Sequence, residues 1–273
     1  MQNRSKARRL LRFAASGLFL VGISACAAPQ RTAGLGNFDD PFEHTNRKIF
    51  AFNQKVDEHV ILPVAKAYQR ALPPPARDSI HAFFRNLRAP VIFANDVLQA
   101  DFPGAGKTLV RFVVNTTLGG AGFVDLAGRW GIPYHYEDFG ATLGVWGLAP
   151  GPYLVIPVLG PSDPRDLAGD IVEGYVDPWN YTASDQGYVW LPFVRSGING
   201  IDTRSRYIKT LADLKRTSLD YYAAIRALYL QRRAALIRHK GVLPPNPSLS
   251  QRLNPAPVPV VTFQARNGSE VFP

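Results

Sequence analysis

The residues that could do covalent chemistry in this chain are few, and their spacing does not assemble a reaction. Gly106-Lys107-Thr108 has the end of a phosphate-binding loop, but that pattern needs a glycine where Asp101 stands and a strand before it. No serine sits in a G-x-S-x-G elbow, and no H-E-x-x-H occurs. The histidines, His44, His59, His81, His135 and His239, are scattered without metal spacing. Glu137-Asp138 is a carboxylate pair of the kind that is usually solvated or capping a helix. A hydrolase would need a nucleophile and a base that meet in space, and no motif points to either. No metal and no cofactor is implied. What remains is binding chemistry. Arg111 can attract a phosphate; Asn53, Asn115 and Thr116 can offer neutral hydrogen bonds; and Asp125 can orient a neighbouring donor. Each has a plainer reading: Asn and Thr often cap helices, and an arginine is often paired at the surface.

These residues fall in or near an unusual stretch, Arg111 to Asp166. Glycines are dense there, Gly119, Gly120 and Gly122 among them, and apolar residues such as Phe123, Val124, Leu126, Trp130, Leu143 and Trp146 stand between them. A flexible linker would be polar. Glycine among apolar residues instead implies sharp turns and close backbone contacts in an apolar setting, either core or lipid. The Gly119–Gly122 turn can be a flexible lip or a rigid tight turn.

The N-terminus sets the compartment. Arg4, Lys6, Arg8, Arg9 and Arg12 precede an uncharged segment, residues 13–25, too short for an ordinary spanning helix. That is an export signal. Ile23-Ser24-Ala25-Cys26 resembles a bacterial lipobox, and Cys26 is the only cysteine. A lone cysteine makes no intrachain disulfide, so acylation is the role left for it. By resemblance to bacterial lipoproteins, Ala27 rather than aspartate after Cys26 points to the outer membrane. Removing residues 1–25 leaves 248 of the 273 residues, and losing the five signal cations takes the net charge from +10 to +5. That charge is modest, and together with export it argues against a nucleic-acid partner.

The rest of the chain reads as helices punctuated by proline. Residues 26–37 form a tether. Asp40 caps and Pro41 opens a first helix with an apolar face at Phe42, Ile49, Phe52, Val56 and Val60. Pro63 opens a second. Helices follow over 76–88, from Pro90 over 91–100, and over 107–117, each separated by a proline break. Leu118 to Asp125 reads as a hairpin with an apolar tip, and Tyr153 to Leu159 as an extended buried connector without a strand partner. Asp163-Pro164 starts a helix over 165–176. Two longer helices, near Pro192 to Leu214 and Ser218 to Lys240, complete the domain, 38–241. A Pro-rich tail, 242–273, reads as disordered. The fold class expected is all-α.

Ordered motifs across this domain resemble the MlaA/VacJ family of outer-membrane phospholipid-transport lipoproteins. They are Asp40-Pro41-Phe42-Glu43, Asn46-Arg47 and Phe52-Asn53; Arg111-Phe112, Asn115-Thr116-Thr117, Gly119 through Gly122 and Asp125; Asp138-Phe139-Gly140, Thr142-Leu143-Gly144, Trp146-Gly147, Gly151-Pro152-Tyr153-Leu154 and Leu159-Gly160-Pro161-Ser162; and Tyr229, Gln231 and Arg232. His44 and the long tail depart from the pattern.

The resemblance implies short helices arranged as a compact ring around an amphipathic channel, embedded in one leaflet. It implies no enzyme. Phospholipids misplaced in the outer leaflet would leave through the channel toward a soluble periplasmic phospholipid carrier, with an outer-membrane trimeric porin as membrane partner. The chain would sit on the periplasmic face of the outer membrane, anchored through acylated Cys26. Asn53, Arg111, Asn115, Thr116, Gly119, Gly120, Gly122 and Asp125 become candidates for lining or gating the channel. Trp130, Trp146, Tyr134, Tyr136 and Tyr153 can lie at headgroup depth or pack in a core. Two rivals share part of this reading: a lipoprotein that braces a porin without moving lipid, and a periplasmic lipid hydrolase.

Overall fold

A computed structural model describes residues 40–239. The signal, the tether, Cys26 and the Pro-rich tail lie outside the described residues. Within them the regular structure is helical apart from one small hairpin, with irregular segments between the elements. Helix α1 (Glu43–Val56) runs through one π turn (Asp57–Ile61) into α2 (Leu62–Ala71) without leaving helical backbone. Pro63 therefore does not break the chain. The Leu62 amide donates to the Asp57 carbonyl five residues back, and the missing proline donor falls where the ladder changes register. Nor does Asp40 cap α1. Its carboxylate is drawn away by Asn46 Nδ2 (2.9 Å), the Tyr222 hydroxyl and Arg226 Nη1 (3.2 Å), and the helix begins at Glu43 rather than at Pro41.

Helix α3 (Pro74–Leu98) also overrides a proline, joining the two helices expected around Pro90. An interior proline costs about 3 kcal/mol; the packing of α3 on α4 (Phe102–Thr117), with Ala89, Val91 and Ile92 buried, offsets it. Helix α4 starts earlier than expected because Asp101 caps it, accepting from the Gly104 amide at 3.1 Å. After α5 (Leu126–Arg129) and α6 (Phe139–Val145), strands β1 (Leu154–Ile156) and β2 (Gly160–Ser162) pair antiparallel with Val155 opposite Pro161. So the connector does have a partner, and its tip, Val158 and Leu159, is exposed rather than buried. Helix α7 (Pro164–Val176) starts on Asp163, which accepts from the Asp166 amide at 2.8 Å. Asp177 caps α8 (Pro178–Asp185) the same way. The helix expected from Pro192 to Leu214 divides at Tyr207 into α9 (Leu191–Arg206) and α10 (Ile208–Thr217), and α11 (Tyr221–His239) ends the described fold.

Contacts close these elements into a ring: α1 on β1, β2 on α11, α11 on α6, then α7, α8, α9 and back to α2. Two asparagines seven residues apart on α1 join the ring's ends. Asn46 Nδ2 donates to the Tyr153 carbonyl (2.9 Å) while its Oδ1 accepts from the Val155 amide (3.0 Å). Asn53 repeats this on Ile156 (2.9 Å) and Val158 (2.7 Å). The two side chains do for the outer edge of β1 what a neighbouring strand would do. Replacing Asn46 by leucine leaves two backbone groups unpaired in a buried place. The expected loss is about 2–4 kcal/mol, measurable as a lowered unfolding midpoint of the protein in detergent.

Burial is inverted relative to a water-soluble domain. Among the described residues, buried polar and charged side chains outnumber buried apolar ones, and several of the latter are alanines. Exposed large apolar side chains are many, including Phe102 (69%), Leu118 (65%), Leu159 (78%), Tyr175 (79%) and Phe193 (79%). Soluble proteins rarely expose so much apolar surface. No described helix is long and apolar enough to cross a membrane.

Candidate functional site

The central candidates form one knot at the end of α4. Arg111 Nη2 makes a forked pair with Asp125 (2.8 and 2.9 Å), and Nη1 donates to the Ile132 carbonyl. Asn115 Nδ2 donates to the same carboxylate at 3.1 Å, and its Oδ1 accepts from the Ala127 amide at 3.0 Å. Burial alone would raise the Asp125 carboxyl. Arg111, the Gly128 amide and Asn115 outweigh it and hold it below the usual carboxylate range. Both Arg111 and Asn115 are buried, so the guanidinium expected to attract phosphate is already occupied. Thr116 Oγ accepts from Asn86 on α3 at 2.9 Å, and Asn53 is engaged with the hairpin far along the ring.

Backbone hydrogen bonds tie the glycine turn to the end of α4. Gly119, Ala121 and Gly122 amides donate to the carbonyls of Val114, Thr116 and Asn115, and Val124 donates back to Gly119. A Cβ on Gly119 would meet the Val124 carbonyl at 2.3 Å and the Asn115 carbonyl at 2.5 Å, so only glycine fits. Gly120 has φ +61° and open space around it, and a Cβ on Gly122 would strike Asn86. No strand forms; the expected hairpin is a string of hydrogen-bonded turns. Its product is the position of Phe123, whose ring stacks on Phe83 of α3 at 4.6 Å and 12°.

That stack stands between two clefts on opposite faces of α3. An apolar one of about 510 Å³ is lined by Phe83, Phe84, Leu87, Trp179, Leu191 and Ile198. A mixed one of about 610 Å³ is lined by Asp78, Ala82, Phe123, Asp125 and Arg129. Sequence reading missed Phe83, Phe84 and Leu87, although their spacing of one and three residues places them on one helical stripe.

A chain of buried polar groups runs from α3 to α11. Arg233 Nη1 donates to Asp138 (2.5 Å) and Nη2 to Asp166 (2.5 Å), while Tyr229 donates to Asp163 (2.9 Å) and Asp166 (2.5 Å). Arg88 donates to Glu173 at 2.9 Å, and Gln99 to Glu137 at 2.7 Å. His135 meets Asp96 at 2.9 Å, and Thr108 Oγ donates to Asp96 at 2.8 Å. One ring nitrogen, Nε2, faces both Asp96 and Thr108 (3.4 Å), and the hydroxyl proton is spent on Asp96. A nucleophilic relay needs the two imidazole nitrogens on two different partners. The aromatic set divides: Trp130 and Trp146 are exposed, Tyr134 and Tyr136 half-buried, and Tyr153 buried with Tyr222 and Val155 in the apolar cluster.

Comparison with known proteins places this architecture. The family model described as MlaA lipoprotein matches residues 38–236. The Escherichia coli protein named intermembrane phospholipid transport system lipoprotein MlaA is 33% identical over 233 residues, covering 82% of this chain and 86% of that protein. Its Haemophilus influenzae namesake is 31% identical, covering 78% and 85%. An uncharacterized protein of Rickettsia felis is 33% identical over 202 residues, 73% of this chain and 78% of its own. A solved structure described as "Structural basis for maintenance of bacterial outer membrane lipid asymmetry" superposes with a TM-score of 0.65 at 32% identity. It covers 73% of this chain and 99% of its own. With the family model spanning most of the described residues, the chain belongs to the MlaA lipoprotein family.

Proposed function

We propose that this chain removes misplaced phospholipids from the outer leaflet of the outer membrane and passes them to a soluble periplasmic carrier. The observation that carries this reading is the inverted burial. A ring with an apolar outside and a polar interior, and no helix long enough to span, suits a protein lying within one leaflet. All four tryptophans, Trp130, Trp146, Trp179 and Trp190, are at least 42% exposed, as expected of residues at headgroup depth. Trp146 and Trp179 satisfy their indole N–H on the Leu98 and Leu87 carbonyls, which leaves their rings free for lipid. The clefts on either side of the Phe83–Phe123 stack offer an apolar path for chains and a mixed one for headgroups. In this reading Arg111, Asn115, Thr116, Asp125 and the glycines hold the turn that carries Phe123, and Asn53 holds the hairpin. The proposed partners are phospholipids, a trimeric porin and the carrier. The proposed place is the periplasmic face, with the anchor on acylated Cys26.

The test is outer-leaflet phospholipid in cells that lack the gene and any second copy of its function. A rise on loss, reversed by the intact gene but not by Cys26→Ala, is the expected result. An unchanged leaflet would favour a porin-bracing lipoprotein, and release of lysophospholipid by the purified protein would favour a hydrolase.

A further inference from the structure

Among the described residues, two half-buried arginines of α3, Arg77 and Arg85, have no side-chain hydrogen-bond or ion-pair partner, and Arg85 is the one placed in the middle of the helix. The other arginines of the polar interior are committed: Arg88 to Glu173, Arg111 to Asp125, Arg165 to Asp166, Arg204 to Asp57, Arg206 to Asp202 and Arg233 to Asp138. Arg85, in the middle of α3, makes no hydrogen bond and no ion pair among the described residues. Its guanidinium lies on the Tyr134 ring, 3.7 Å from the centroid, and its Nε is buried without an acceptor. The acid that acts on it, Asp125, is already taken by Arg111. Burial, with Arg111 and Arg206 acting in the same direction, lowers its pKa below the ordinary arginine value. A guanidinium nonetheless stays charged in a protein. A half-buried charge without a counter-ion is costly, and an anionic ligand relieves that cost.

The position of Arg85 says which part of a ligand it would meet. It belongs to a stripe on α3, Arg77, His81, Arg85 and Arg88, spaced four, four and three residues apart. His81 is held by Asp202 at 2.8 Å and Arg88 by Glu173. Arg77, two turns before Arg85, likewise has a buried Nε without an acceptor. On the adjoining face of the same helix, Phe83, Phe84 and Leu87 line the apolar cleft of about 510 Å³. The small, partly open cavity that Arg85 shares with Arg111, Tyr134 and His135 is only about 20 Å³. That is room for about one water, so an anion meets Arg85 from its partly exposed side.

We infer that Arg85 is the residue that binds the phosphate of the transported phospholipid, seated on Tyr134 with the acyl chains laid along Phe83, Phe84 and Leu87. The inference rests on the phospholipid-handling reading above. It makes two features specific: affinity for a phosphate ester over the same lipid without phosphate, and little need of Arg85 for folding.

Both features are measurable on the acylated full chain purified in detergent. Lipid retention is read by native mass spectrometry with dioleoyl phosphatidylglycerol and, separately, dioleoylglycerol. The wild type is expected to retain the phosphatidyl lipid over the diacylglycerol. Arg85→Gln is expected to lose about tenfold of that retention and to fall to the diacylglycerol level. Arg85→Lys should keep part of it, the exposed Arg70→Gln should keep all of it, and Arg85→Gln should melt no lower than the wild type. Equal phosphatidylglycerol retention in Arg85→Gln would overturn the inference and leave the transport reading standing. A wild type that retains neither lipid would overturn both. Displacement of phosphatidylglycerol by millimolar inorganic phosphate with no loss of acyl-chain preference would make this a free-phosphate site and overturn the headgroup assignment. A large fall in melting temperature for both Arg85 variants would make the residue structural and also overturn it.

Discussion

Replacing Arg233 by methionine is expected to destabilise the fold by about 3–5 kcal/mol, the cost of breaking a buried pair from one side. Arg233 reaches across from α11 to two carboxylates, Asp138 at the cap of α6 and Asp166 in the first turn of α7, and all three side chains are at most 11% exposed. Space for this is made by two glycines. A Cβ on Gly140 would lie 2.8 Å from both Arg233 Nη2 and Asp166 Oδ1, and one on Gly169 would lie 2.4 Å from the Gly140 amide. Helices α6 and α7 therefore meet backbone to backbone, and the charges fill the seam between them and α11. Without Arg233, Asp166 keeps Arg165 at 3.0 Å, but Asp138 loses its only ion-pair partner among the described residues and keeps the Ala141 amide. Burial would raise the Asp138 carboxyl; Arg233, the Ala141 amide and Arg88 overcome it and hold the group below its ordinary 3.8. The stability this supplies is present above pH 3.8 and is lost as pH falls through the lower folded value. Chemical denaturation at neutral pH in detergent is the check. Adding Asp138→Asn to Arg233→Met should recover part of the loss. A single-variant cost below about 1 kcal/mol would mean that water reaches the carboxylates and that the seam is not dry.

What could be read from the sequence was local. Asp163-Pro164 announces a helix because the cap and the fixed proline φ act within four residues, and α7 begins there. Pro63 and Pro90 mislead because the same local rule is outweighed by structure the sequence does not display: a π turn in one case and packing on α4 in the other. The β hairpin was illegible for a related reason. Its strands are three residues long, and four hydrogen bonds to it come from side chains of α1 more than a hundred residues earlier. Among the site residues, Arg111, Asn115 and Asp125 share one hydrogen-bonded knot within 14 residues of chain, a range at which spacing alone is informative. Asn53 shows the opposite: the residue type suggested a polar contact, and the partner is a distant backbone. Arg85 carried no signal. An arginine in a helix is ordinary until every neighbouring acid has been assigned elsewhere.

The same polar interior contains a carboxylic acid whose proton folding holds well above the ordinary carboxylate range. Glu137 is fully buried, and burial pushes its carboxyl up from 4.5 to about 7, with Asp96 and Asp138 adding to the effect against the Gln99 hydrogen bond and His135. Because the folded value is the higher one, the folded state binds the proton more tightly than the unfolded chain. This contribution is complete below pH 4.5 and is lost as pH rises through the folded value near 7. The whole interval is worth about 3 kcal/mol. Glutamine at 137 has no proton to lose and still accepts from Gln99. Its own amide can also serve Gln99 Oε1, which is buried without a partner, as is Glu137 Oε1. The variant Glu137→Gln is therefore expected to be more stable than wild type at pH 8 by about 1–3 kcal/mol, to match it near pH 4.5, and to flatten the stability–pH curve between these limits. Melting curves in detergent from pH 4.5 to 8 decide it. An unchanged slope across that range would show that Glu137 ionises freely, which a carboxyl with no water access and two acidic neighbours resists. A protonated glutamate can also donate, so below about pH 7 the cluster of Glu137, Gln99 and Thr142 is held by neutral hydrogen bonds rather than by charge. The ring thus packs one group of committed charges, Arg233 with Asp138 and Asp166, into the seam of α6, α7 and α11, and among the described residues leaves Arg85 on α3 without an ion-pair partner. That is an arrangement in which an arriving phosphate meets little competition from a carboxylate at its own site.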